Sequence, residues 1–230
     1  MLMLLGAVNF ALFVKIRQGE TISFFKDYEI RTGVLWMTIG TVVLMLSLCA
    51  SGGFSDIMAL LRRGAFMVVS ASTTTGFQTV TNNQMTTVFS SGAFLVVAIL
   101  MAVGGSSGST SGGMKLSRLG LIAKSMVSTI KETLSPGTAR VSVRYYHLGK
   151  KVLTTEVAKA ALTVSALFVF TYLAGSLVGI AHGYDALDAI FESVSMASNG
   201  GLSSGIIAHG MPPVLEGVYI LEMWAGRLEF

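Results

Sequence analysis

Two stretches decide the reading of this chain: Ser70–Thr79, SASTTTGFQT, and Ser195–Ser204, SMASNGGLSS. Set one above the other, at an offset of 125 residues (195 − 70), a serine, a glycine, a large apolar residue and a hydroxyl fall in register. The register extends back to Phe66 and Phe191, so F-x-x-x-S-x-x-x-x-x-G-[FL]-x-[ST] occurs twice. Each copy follows a long apolar run, Val34–Ala50 before the first and Ala158–Ile180 before the second. A repeat is sought early because it dictates the whole architecture. Here the unit reads as a long apolar helix, a short helix, a Ser/Thr/Gly loop and a second long apolar helix.

Composition places that unit in a bilayer. Hydrophobic residues make up 52% of the 230, charged residues 12%, and the mean hydropathy is +0.70, outside the range of soluble globular domains. A hydrocarbon core takes ~20 helical residues, and Val34–Ala50, Val88–Val103 and Ala158–Ile180 are the runs that reach or approach that length. Met1–Val14 is apolar but short; without the features of a signal peptide, it reads as the tail of a helix and the chain as a fragment. The run Asp56–Ser72 is too short and interrupted to span, and the polar loop after it has backbone groups that lipid cannot satisfy. Such a segment fits a pore loop, whose carbonyls replace the hydration shell of a cation and whose helix turns its negative end toward the ion. Gly76 and Gly201 open backbone angles closed to other residues, and Thr73, Thr74, Thr75, Ser198 and Asn199 can bond the backbone behind them. The competing reading, two ordinary turns, does not explain the recurrence.

The charges fix an orientation. Four of the 16 Lys and Arg lie between Lys15 and Arg31 and nine between Lys115 and Lys159. The segment His182–Met223 has none and carries Asp185, Asp188, Glu192, Glu216 and Glu222. Basic segments mark the cytoplasmic side, which puts the acidic segment outside or at a pore mouth. Asp185 and Asp188 then form a vestibule that concentrates cations, partly offset by Arg62 and Arg63. Lys115 and Arg118 read as inside-positive residues. The basic stretches lack the interleaved aromatics of a nucleic-acid platform. Cys49 lies in an apolar run, which suggests packing. His147, His182 and His209 have no carboxylate or cysteine at metal-ligand spacing, so no metal site of that kind is assigned. Glu192, inside a short helix, reads either as a brace for the loop or as a carboxylate at an aqueous mouth.

Between the repeats stands GGSSGSTSGGMK, Gly104–Lys115, a break in the second long helix of the first unit. A phosphate-binding loop needs G-x-x-x-x-G-K-[ST]; in Gly108–Ser117, GSTSGGMKLS, the lysine falls one place late and leucine follows it, so the chain is not read as an enzyme. A coupled secondary transporter with broken-helix hairpins is the stronger rival. Such folds often use inverted repeats, whereas both units here start beside a basic segment.

STTTGF, GGSSGSTSGGMK, FESVSMASNGGLSSGI and MWAGRLE together resemble the Trk/Ktr/HKT superfamily of potassium transporters, in the last two of its four helix-pore-helix repeats. The resemblance implies an all-α polytopic membrane protein. Residues 1–26 would end the second repeat, 27–131 form the third, 132–155 a cytoplasmic linker, and 156–230 a truncated fourth. It further implies that Thr74, Thr75, Gly76 and Phe77, with Asn199, Gly200, Gly201 and Leu202, supply selectivity-filter carbonyls for potassium, with sodium as the alternative cargo. Ser70, Ser195 and Glu192 would support them. Asn199-Gly200 departs from the usual apolar residue before the filter glycine. Gly104, Gly105, Ser106, Ser107, Gly108, Ser109, Thr110, Ser111, Gly112 and Gly113 would form an intramembrane gate paired with Arg227. The resemblance also implies a homodimer in the plasma membrane, a nucleotide-binding cytoplasmic regulatory subunit as partner, and no cofactor beyond the transported ion.

Overall fold

The structure is a computed structural model and describes residues 1–51, 57–79, 89–134 and 143–228. The first residues of the Asp56–Ser72 and Val88–Val103 runs and the Pro136-Gly137 turn lie outside that range. Ten helices and one hairpin are described: α1 (Leu2–Ala7), α2 (Phe10–Arg17), α3 (Thr21–Lys26), α4 (Tyr28–Ser51), α5 (Ile57–Ser72), α6 (Ser91–Ala102), α7 (Leu116–Leu134), β1 (Arg144–Tyr146), β2 (Lys150–Val152), α8 (Thr155–Ala181), α9 (Ala186–Ala197) and α10 (Pro213–Leu228).

Polar residues that flank or interrupt the apolar runs set the helix starts. Ser90 accepts the N–H of Ala93 at 3.3 Å to start α6, Thr154 that of Val157 at 3.4 Å to start α8, and Asp185 that of Leu187 at 3.1 Å to start α9. Pro213 opens α10, where its missing N–H costs nothing. With 24 and 27 residues, α4 and α8 reach roughly 36 and 40 Å at 1.5 Å per residue, enough to cross a hydrocarbon core of about 30 Å. Most of each helix faces outward: Val34, Leu35, Ile39, Val42 and Leu46 on α4, and Leu162, Phe170, Leu173 and Leu177 on α8, are exposed apolar side chains. A soluble core helix would bury them; a lipid-facing one presents them.

The two copies of the repeat share one core. Leu44, Leu48, Met67, Val97, Leu100 and Met101 from the first pack with Phe168, Phe191 and Leu202 from the second, and the rings of Phe94 and Phe191 lie 4.4 Å apart. Four expectations are corrected. Met1–Val14 is not one helix: Val8 is extended and Asn9 accepts the N–H of Ala11 at 2.9 Å, so the chain restarts as α2. Helix α6 has 12 residues, well short of a span, because it stops before Gly104. The linker contributes an antiparallel hairpin, with Arg144 opposite Val152, within an otherwise helical fold. Cys49, expected in packing, is exposed on α4.

Candidate functional site

Helices α5 and α9 end in the same way. In the first copy the N–H of Thr74 bonds Ala71 O at 3.1 Å and that of Thr75 bonds Ser70 O at 3.0 Å; in the second, Asn199 bonds Met196 O at 3.0 Å and Gly200 bonds Ser195 O at 2.8 Å. These are the paired bonds of a Schellman cap, which needs a left-handed residue just past the helix. Thr74 (φ 50°) and Asn199 (φ 53°) take that role, and Gly76 (φ 80°) and Gly201 (φ 74°) repeat the left-handed turn two residues on. Asparagine enters this region readily, whereas a β-branched threonine there is an outlier. All four positions obey the 125-residue offset.

The two loops meet. A Cβ on Gly76 would stand 2.6 Å from the carbonyl oxygen of Gly200 and 3.1 Å from the Cα of Gly201, so only glycine admits this approach. Gln78 Nε2 donates to Ser203 O at 2.9 Å, joining equivalent positions of the repeat. The expected filter residues Thr74, Thr75, Gly76, Phe77, Asn199, Gly200, Gly201 and Leu202 are thus brought together. Their side chains differ: Phe77 is exposed and Leu202 fully buried.

Support behind the loops is unequal. Ser195 Oγ donates to Leu202 O at 2.5 Å. Ser70 is equally buried, but its Oγ lacks a hydrogen-bond partner among the described residues. Glu192 is fully buried, and its Oε1 accepts from Ser203 Oγ at 2.6 Å, Ser204 N at 2.8 Å, Ser204 Oγ at 3.1 Å and Gly205 N at 3.2 Å. That is the geometry of a brace rather than of a carboxylate at a wet mouth. Met67 stands at the same place in the first copy (192 − 125).

The Gly-rich segment 104–113 closes on itself and lies against both loops. Gly104 N bonds Met114 O at 2.9 Å and Met114 N bonds Ala102 O at 3.1 Å, so the chain leaves and rejoins at one point. Ser111 Oγ donates to Thr73 O at 2.9 Å, and Gly112 N to Thr74 Oγ1 at 2.9 Å. The Cα of Gly112 faces the Ser198 carbonyl too closely for any side chain. On the other side, Ser106 N bonds Ala7 O at 2.9 Å and Thr110 N bonds Gly6 O at 3.1 Å, carbonyls freed by the break after α1. Arg227 reaches the segment: its Nη1 donates to Thr110 O at 3.4 Å.

Sequence reasoning missed two groups. Lys115, read as an inside-positive residue, is 1% exposed and donates from Nζ to Ser111 O. Its place directly after the break, where a loop must be pinned, was the available signal. The second is His147. The hairpin places its Nδ1 3.3 Å from Asp27 Oδ2, and Asp27, Glu29 and His147 offer ligand atoms within 4.8 Å of one another. This overturns the expectation that no histidine has carboxylates at ligand spacing, which counted only neighbours in sequence. Burial raises the pKa of Asp27, but hydrogen bonds from His147 and from the N–H groups of Glu29 and Leu148 outweigh it and hold the carboxyl below the usual range. The bond to Asp27 raises that of His147.

Over residues 1–230 the chain matches the family described as TrkH, cation transport protein. It is similar to an uncharacterised cation transporter of Methanocaldococcus jannaschii, 29% identical over 97% of this chain and 43% of the relative. It is also similar to the Trk system potassium uptake protein TrkH of Escherichia coli K12, 26% identical over 99% of this chain and 46% of the relative. The fold matches the crystal structure of the potassium transporter TrkH from Vibrio parahaemolyticus with a TM-score of 0.82 at 24% identity, covering 99% of this chain and 48% of that one. The chain spans about half the length of the relatives it matches.

Proposed function

The chain belongs to the TrkH cation transport protein family, and on that premise we propose that it carries potassium, with sodium as the alternative cargo, across the plasma membrane through the paired loops 74–77 and 199–202. The observation that carries this reading is the meeting of two loops with the same left-handed backbone, Gly76 against Gly200 and Gly201. Repeated left-handed turns at the negative ends of two short helices suit carbonyls turned toward one cation path. With half the length of its relatives, the chain supplies two of the four loops that a complete pore needs. Segment 104–113, held by Arg227 and Lys115 beneath the loops, is the gate. The units 27–131 and 156–230 are the repeats, and the stretch 132–155 faces a nucleotide-binding regulatory subunit. Assembly is as a homodimer. The path performs no covalent chemistry.

Rubidium uptake, measured with competing potassium and sodium in cells lacking their own potassium uptake, tests the loops in the protein of full family length. Gly76→Ser should abolish potassium preference, because its side chain would meet the Gly200 carbonyl. Gly201→Ser should weaken it less, since its Cβ would have 3.4 Å to Gly76 Cα and face mainly the cost of the positive φ. Preference unchanged in both variants would sink the filter assignment. A sodium preference in the unaltered protein would make sodium the cargo.

A further inference from the structure

The hairpin, the start of α4 and the Gly-rich segment converge on three ionisable side chains that the ion path does not use. Asp27 and Glu29 are fully buried. Asp27 is oriented on both oxygens: Oδ1 accepts Glu29 N at 2.9 Å and Oδ2 accepts Leu148 N at 3.1 Å. Each carboxylate oxygen retains a second lone pair. The imidazole of His147 stands with Nδ1 at 3.4 and 3.3 Å from these two oxygens. The ring is held edge-on by Tyr28 with centroids 5.4 Å apart. Glu29 Oε1 accepts the N–H of Ser107 at 3.4 Å, Oε2 is buried without a hydrogen-bond partner among the described residues, and one oxygen of this carboxylate completes the set within 4.8 Å. A fully buried carboxylate oxygen without a donor is a costly feature that a ligand would repair.

We propose that Asp27, Glu29 and His147 form a binding site for a divalent transition-metal cation of the zinc class. An imidazole with two carboxylates, leaving a fourth position for water, is a donor set for zinc. At metal–ligand distances of about 2.0–2.1 Å, the edge between two tetrahedral donors is ~3.3 Å, which matches the Nδ1 to Oδ2 spacing. The cation takes the place of the proton that otherwise lies between His147 and Asp27; where the ring is the imidazolium, freeing the Nδ1 lone pair releases that proton to solvent. Hard magnesium, which prefers an all-oxygen shell and keeps its waters, is disfavoured by the imidazole. Resting on the gate reading above, the bound ion would also fasten Ser107, and with it segment 104–113, to the cytoplasmic hairpin through Glu29.

The full chain in detergent, stripped with EDTA, is titrated with ZnCl2 by calorimetry and with CoCl2 by visible absorption. A single ion per chain is expected, with the intensified cobalt bands of a low-coordinate site and no displacement by excess MgCl2. His147→Gln, at the half-buried turn of the hairpin, and Glu29→Gln should each weaken binding by at least ~10-fold while leaving helical circular dichroism unchanged. No uptake by the unaltered chain, unaltered affinity in both variants, or displacement by magnesium at equal concentration overturns the site. Rubidium flux with and without zinc is read separately: flux that ignores a zinc ion shown to bind keeps the site and removes only its link to the gate.

Discussion

Thr74 and Asn199 hold the same strained backbone with different means. Asparagine tolerates the left-handed region, whereas threonine there costs of the order of 1–3 kcal/mol unless its surroundings compensate. They do: Thr74 Oγ1 accepts the N–H of Gly112, so the side chain that makes the conformation costly also joins the loop to the Gly-rich segment. Glu192 shows how far a single residue was legible. Its position inside a short helix in a membrane marks it as functional but does not separate brace from mouth, because the sequence does not place Ser203, Ser204 and Gly205 around its carboxylate. Glu192→Ala would take the shared acceptor from Ser203 Oγ, Ser204 N and Ser204 Oγ, while Gly205 N keeps Ser203 Oγ at 3.0 Å, at ~1–3 kcal/mol for each donor that stays buried and unpaired. Glu192→Gln keeps an acceptor. Thermal unfolding in detergent should therefore fall for both, with glutamine losing less than half as much as alanine; equal losses would contradict the brace.

At the scale of elements, the Gly-rich segment is pinned at both ends, hydrogen-bonded to the first loop and packed against the second, and on the proposed reading it acts as a plug with discrete attachments. Replacing Lys115 by methionine keeps the length and apolar stem and removes the charge-assisted bond to Ser111 O. Such a bond contributes ~1.5 kcal/mol or more, enough to raise the open population, and with it basal rubidium flux, about tenfold. The Gly76-dependent potassium preference should stay unchanged. Flux equal to that of the unaltered protein would assign Lys115 to packing alone. The sequence located this element correctly, since five glycines beside an apolar run admit no helix. The break between α1 and α2 was not legible, because Asn9 competes for a backbone N–H only once the carbonyls of Gly6 and Ala7 have other donors in reach.

For the whole molecule, the charge distribution and the long spans define sides. A cysteine at His182, between α8 and α9, should react with a membrane-impermeant maleimide in intact cells carrying Cys49→Ala. A cysteine at Ser128 on α7 should react only after permeabilisation. The opposite pattern would invert the orientation read from the basic segments. The sequence by itself determined the membrane class, the repeat and its 125-residue register, the broken helix and the loop glycines. All of these are local: run length, spacing and backbone freedom are properties of neighbouring residues. Only the tertiary structure decided that Gly76 meets Gly200, that Lys115 is buried, and that His147 stands beside Asp27, 120 positions away (147 − 27). Burial and pairing across such separations depend on where the intervening chain returns, and the spacing of residues along the chain does not encode that.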